Sequence, residues 1–152
     1  MKSLVCLSAG RHPVSGRAGP VAGELAAVRL AAGLGEVAGL HAGPSAEAVA
    51  DALGHGLGLL HHAALDEGAD PVPALAAAIA ALGADLVFTG ARGEGGEDTG
   101  LTPYRLAAAL GRPILAEVVA VTPSAEGVVA EQALGRGERR AVRLATPAVI
   151  VV

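Results

Sequence analysis

The residues from Gly90 to Gly100, Gly90-Ala91-Arg92-Gly93-Glu94-Gly95-Gly96-Glu97-Asp98-Thr99-Gly100, are small, polar and rich in glycine. They follow a short apolar run, Asp85-Leu86-Val87-Phe88-Thr89. They lead into a helix-like run, Leu101 to Leu110, stopped by Gly111 with Pro113 just beyond. A strand, a glycine-rich loop and a helix N-terminus in that order can hold a phosphate group. Loop amides point at the anion, and the helix dipole favours negative charge there. Residues without a bulky side chain let the backbone approach closely. The first ligand to consider is therefore a nucleotide phosphate. The loop has no lysine and matches neither the Gly-x-x-x-x-Gly-Lys-Ser/Thr nor the Gly-x-Gly-x-x-Gly spacing. A loop that merely turns a corner is the plain alternative.

Other reactive residue types form no set. His41, His55, His61 and His62 invite a metal reading, but no HxxxH or HExxH spacing exists, and His61 and His62 point to opposite faces of a strand. Glu97 and Asp98 could exchange protons, yet no nucleophile–base–orienter trio can be assembled around them. Asp98 reads as the N-cap of the helix that follows. Cys6 is the sole cysteine, which excludes an internal disulfide and a multi-cysteine zinc site. It stands in the apolar run Leu4-Val5-Cys6-Leu7 and reads as buried. The expectation is no catalytic residue and no metal site.

Composition narrows the partners. The 152 residues suffice for one domain, 1–152, with a substantial core. Phe88 and Tyr104 are the aromatics, so the core must be Leu, Val, Ile and Ala, with little scope for stacking a base or flavin on this chain. A net charge of −4 gives no nucleic-acid footprint. Arg136, Arg139, Arg140 and Arg143 cluster locally and read as solvated strand residues. No run is long and apolar enough to cross a membrane, and no signal peptide is evident, so a cytoplasmic protein is expected.

The elements that must position the loop alternate between strand and helix. Strands are expected at Ser3–Leu7, Glu36–His41, Leu57–His62 and Asp85–Thr89. Helices are expected from Pro20 to Ala32, from a cap at Ser45 through Leu53, from Pro73 to Leu82 and from Leu101 to Leu110. This alternation implies an α/β fold of three layers, α/β/α, with a mainly parallel, doubly wound sheet. After Gly111 four runs read as strands: Ile114–Val121, Gly127–Gln132, Arg139–Leu144 and Ala148–Val152. They are expected to extend the sheet by a C-terminal antiparallel hairpin, the last strand being buried in it.

Several strings in this order resemble the β subunit of the electron-transfer flavoproteins. Lys2-Ser3-Leu4-Val5-Cys6-Leu7 is similar to that family's first strand, and Pro20 with Ala27-Val28-Arg29-Leu30 to its Asn-Pro…Ala-x-Arg-Leu segment. His41-Ala42-Gly43-Pro44 resembles the loop after its second strand, and Asp51-Ala52-Leu53-Gly54 its Ala-Leu-x-x-Gly-Ala turn. Asp85 to Gly90 with Asp98-Thr99-Gly100 resembles its nucleotide loop, and Leu144 to Ile150 its Leu-Pro-Ala-Val-Val strand.

The resemblance implies an adenine-nucleotide-binding subunit holding AMP, or FAD in electron-bifurcating members. It would pair with an α-like subunit that carries the working flavin, and meet dehydrogenases only through the assembled complex. Cys6 and Leu7 would approach the adenosine and Ala42 would line the base pocket. Gly90, Ala91, Arg92, Gly93, Asp98, Thr99 and Gly100 would wrap the phosphate. Departures are visible. Leu7-Ser8-Ala9-Gly10-Arg11 lacks the family's lysine, Gly19 stands for its asparagine, and the loop is shorter by two residues. The family continues past the Pro-Ala-Val strand into an extension bearing the α-subunit arm and the dehydrogenase loop, which these residues lack; a divergent short member, a truncated form and a chain whose remaining part is not included all fit. Thr89-Gly90-Ala91-Arg92-Gly93 also resembles the universal stress protein loop, which would imply a stand-alone ATP- or AMP-binding regulator. That family's later Gly-Ser or Gly-Thr pair is replaced here by Thr102, Pro103 and Tyr104.

Overall fold

Short runs of Val, Leu, Ile and Ala, unbroken by polar alternation, are the mark of strands buried on both faces. In the computed structural model, which describes residues 1–11, 14–19, 21–92 and 99–152, they pair in parallel. The first half of the chain gives β1 (Ser3–Leu7), β2 (Gly10–Arg11), β3 (Ala18–Gly19), α1 (Ala22–Ala32) and β4 (Val37–Gly43). A 3₁₀ helix (Glu47–His55), β5 (Leu60–Ala64), α2 (Pro71–Leu82) and β6 (Leu86–Thr89) follow. Then come α3 (Thr102–Leu110), β7 (Ile114–Leu115), β8 (Val118–Ser124), β9 (Gly127–Ala133), β10 (Arg139–Ala145) and β11 (Ala148–Val151).

Six strands form one parallel sheet in the order β5-β4-β1-β6-β11-β7. Alternate residues along each strand feed the two faces. Val5, Leu7, Leu86, Phe88 and Ile150 pack with Ala27, Val28 and Ala31 of α1 and with Val49 and Ala52 of the 3₁₀ helix. Leu4, Leu40, Val87 and Val149 pack with Leu75 and Ile79 of α2 and Leu106 and Ala107 of α3. The expected three-layer α/β architecture is therefore present.

The local departures have physical causes. The antiparallel strands after Gly111 are there, but they bond among themselves as a separate sheet, β10-β9-β8. The run Ile114–Val121 breaks at Glu117, which takes a positive φ of 59°, leaving β7 in the parallel sheet and β8 outside it. Val118, Val128 and Ala130 of the separate sheet join the α1 face of the core. The segment after Ser45 winds as 3₁₀, with its two buried residues, Val49 and Ala52, three apart on one face. Its N-cap is Ala46 and not the expected Ser45, whose hydroxyl accepts from Glu47 N at 3.1 Å just before the helix. Leu57 leaves the strand ladder and fills the core beside Gly39, so β5 starts later than expected. The helix after the glycine-rich loop is capped at Leu101, with no side-chain cap. Asp98, expected as that cap, lies outside the described residues. α2 is the better-specified helix: Asp70 accepts from Val72 N at 3.1 Å and Pro71 opens the first turn.

Phe88 is fully buried against α1 and is the core's largest side chain. Replacing it with alanine should cost about 3–5 kcal/mol, read as a lower urea midpoint with an unchanged slope. A loss below about 1 kcal/mol would contradict this account of the core.

Candidate functional site

In a doubly wound sheet a crevice opens at the strand C-termini where successive crossovers leave in opposite directions. Here that point lies between β1 and β6. The chain leaves β1 through α1 toward β4, and returns from β5 through α2 to β6 on the other face. The loops after Leu7 and after Thr89 therefore flank one crevice.

The first turn of α1 ties these loops together. Glu24 is buried there, where a helix dipole favours an acid. Its carboxylate accepts from Ser8 N at 3.0 and 2.8 Å and from the Ser8 hydroxyl. Gly90 comes so close that a Cβ on it would lie 3.2 Å from Glu24 Cγ and 3.3 Å from Glu24 N. Ala91 N donates to the Val152 carbonyl at 3.1 Å. Gly100, at φ +69°, returns to the same place: a Cβ there would lie 3.3 Å from the Ala91 carbonyl oxygen. The two ends of the glycine-rich loop thus meet at the switch point. Thr99 accepts from Leu101 N at 3.3 Å, turning the chain into α3.

The family can be read at this point. The profile of the electron transfer flavoprotein domain matches residues 22–152, from α1 through β11. The chain belongs to that family. It is also similar to the electron transfer flavoprotein subunit beta of Chromohalobacter salexigens, 42% identical over 159 aligned positions that take in all of this chain. The chain spans 60% of that relative's length. The resemblance drawn from the sequence strings holds at the level of the electron transfer flavoprotein β subunit.

Within this electron transfer flavoprotein fold the proposed site residues divide. Cys6 and Ala42 lie on the α2/α3 face of the sheet, whereas Leu7 lies on the α1 face. Adjacent strand residues point oppositely, so Cys6 and Leu7 do not line one pocket with both side chains. Gly90, Ala91, Arg92, Thr99 and Gly100 gather at the loop base, with Arg92 exposed. Gly93 and Asp98 lie outside the described residues. Burial pushes the Cys6 thiol up from 9.0 to about 12, the Glu24 charge adding to the rise, which disqualifies it as a nucleophile. His41 is a structural residue: its Nδ1 donates to the Leu7 carbonyl at 2.8 Å, and its ring stacks on His62 with centroids 5.8 Å apart. His62 Nε2 donates to the Gly43 carbonyl at 2.7 Å. The described residues bring no group of three metal-ligating side chains together.

Three residues at this crevice, Ser8, Glu24 and Thr89, were not among the site residues expected from the sequence. Glu24 had a signal, being the lone acid in an alanine-rich helix. Thr89 had one too, as the single hydroxyl closing an apolar strand.

Gly90→Val should destabilise the protein by about 1–3 kcal/mol, because Gly23 and Glu24 leave the side chain no room. Chemical denaturation of the variant reads this directly, and an unchanged midpoint would mean the close approach is absent. The Cys6 thiol should resist aromatic disulfide reagents at pH 8 in the native state and react once urea unfolds the chain. Its raised pKa makes its contribution to stability full below pH 9 and lost as pH rises from 9 toward about 12. A Cys6→Ala variant should flatten that alkaline decline.

Proposed function

We propose that this chain is an electron transfer flavoprotein β-like subunit that binds an adenine nucleotide and pairs with an α-like, flavin-carrying subunit. The 152 residues act as one nucleotide-binding domain in this reading. The observation that carries it is the pinched loop at the switch point. Gly90 and Gly100 bring backbone together where a Cβ would meet other backbone atoms, the kind of cradle that lets amides reach a phosphate. The nucleotide is AMP, or FAD if the assembled protein is of the bifurcating kind. Ala91, Arg92, Gly93, Asp98, Thr99 and Gly100 would hold the phosphate, and Cys6 and Ala42 the adenosine. AMP would supply no redox chemistry, whereas FAD would supply reversible electron acceptance.

The chain's own part is to bind, shape and present. A ligand that binds only the folded state stabilises it, by about 2.7 kcal/mol at a hundredfold excess over Kd. Electrons from a dehydrogenase would reach the α-like flavin in the assembled complex, so this subunit is no enzyme by itself. Among the described residues no helix is long and apolar enough to cross a membrane. We place the complex in the cytoplasm.

Gentle denaturation of the purified chain, followed by mass spectrometry of what is released, tests the reading. AMP or FAD near one per chain is the expected result. Freely exchanging ATP would favour a stand-alone sensor. An empty protein that gains no nucleotide when co-expressed with an α-like partner would sink the assignment.

A further inference from the structure

Thr89 closes β6 immediately before Gly90. The strand alternates, with Leu86 and Phe88 in the α1 cluster and Val87 in the α2/α3 cluster. Thr89 therefore falls on the α2/α3 face, in the row of Val151 on β11 and on the same face as Cys6 of β1. The residue is 5% exposed, and its hydroxyl has no hydrogen-bond partner among the described residues. Its neighbours offer little: Val151 is apolar, and Cys6 is a buried, protonated thiol that makes no hydrogen bond to it. A buried hydroxyl left without a partner is destabilising, so such groups ordinarily have one, in the protein or in a ligand. The Thr89 carbonyl, by comparison, accepts from Val152 N at 3.0 Å.

We propose that the Thr89 hydroxyl is a specificity-determining group that hydrogen-bonds a ribose hydroxyl of the bound nucleotide. The inference rests on the nucleotide reading above. If the loop beginning at Gly90 holds the phosphate, the ligand group nearest Thr89 is the one covalently next to that phosphate. In a nucleotide this is the sugar. A threonine hydroxyl both donates and accepts, and so does a ribose hydroxyl, so either can take either role. An apolar strand end would serve the fold equally well, so the fold itself makes no use of this oxygen.

The test compares AMP with 2′,3′-dideoxy-AMP on the purified chain stripped of nucleotide, using wild type, Thr89→Val and Thr89→Ser. Wild type and Thr89→Ser should prefer AMP by about tenfold, the size of one good hydrogen bond. Thr89→Val should bind AMP about tenfold more weakly and lose the preference, because it keeps the shape and removes the oxygen. Equal AMP affinity for wild type and Thr89→Val would overturn the inference and leave the nucleotide reading standing. An equal loss for both ligands would place the hydroxyl on phosphate or base, and overturn the ribose assignment. Failure of wild type to bind any AMP would overturn both. Thermal unfolding of the stripped protein gives a second readout. Thr89→Val should be no less stable than wild type, since the hydroxyl it removes has no partner; a lower Tm would reveal an internal partner and overturn the proposal.

Discussion

The parallel sheet is whole only because β11 fills the slot between β6 and β7. The chain passes from β6 through α3 to β7 and leaves one strand's width open between them. β11 enters that slot after the entire antiparallel sheet has been made. Ala148 N donates to the Asp85 carbonyl at 3.0 Å, and Val149 N to the Pro113 carbonyl at 2.9 Å. Val149, Ile150 and Val151 are all buried. Each contributes roughly 1.5–3 kcal/mol of burial, before the entropy of ordering the strand is subtracted. Net stabilities of whole domains are only about 5–15 kcal/mol. Loss of this strand would therefore be felt globally and would also turn β6 into an exposed edge. The same ladder reaches the candidate site, because the Val152 carbonyl holds the Ala91 amide at the start of the glycine-rich loop.

A second fastening works from the other side of the switch point. Glu24 binds the Ser8 amide and hydroxyl while its own backbone and Cγ lie against Gly90. A buried carboxylate is costly unless its oxygens are satisfied, and Ser8 supplies donors to both of them. Its negative charge would repel a phosphate if left bare, and those donors are directed at it from the loop after β1. The acid thus serves the geometry of the crevice while its charge is spent locally. The exposed Asp70–Arg105 pair plays a lesser part. Arg105 beside Asp70, helped by the Val72 amide, holds the carboxyl below its ordinary range. The pair therefore loses its contribution only as pH falls through that lowered value, and solvent keeps the contribution small.

Much of this was legible in the residues. Unbroken apolar runs such as Ser3–Leu7 and Leu86–Thr89 identify strands buried on both faces, and alternation with alanine-rich helices gives the parallel order. Local rules failed where tertiary contacts decide. Glu117 carries no turn residue's signature, yet its positive φ separates β7 from β8. Leu57 looks like a strand residue and instead fills space beside Gly39. Leu101 is a poor cap by type, yet the helix starts there, after the Thr99 turn and before Pro103. The loop could be located from its glycines. What surrounds it could not, because Ser8 and Glu24 are brought to it from separate parts of the chain.

The position of the antiparallel sheet explains why the crevice should belong to one face. A hairpin added to the edge beyond β7 would have left the α1 face covered by α1 and a short 3₁₀ helix alone. By turning at Glu117 the chain instead lays Val118, Val128 and Ala130 on that face, where they are fully buried with Ala27, Val28 and Ala31. Its polar residues stay outward, with Arg139 on Glu131 at 3.1 Å. The α1 face is thereby closed by apolar packing, and its buried histidine at the strand ends is committed to the Leu7 carbonyl. On the α2/α3 face the strand ends present Cys6, Ala42 and the uncommitted hydroxyl of Thr89. Packing has closed one side of the sheet's C-terminal edge, where His41 keeps only an unpartnered Nε2, and the Thr89 hydroxyl remains on the other, beside Gly90.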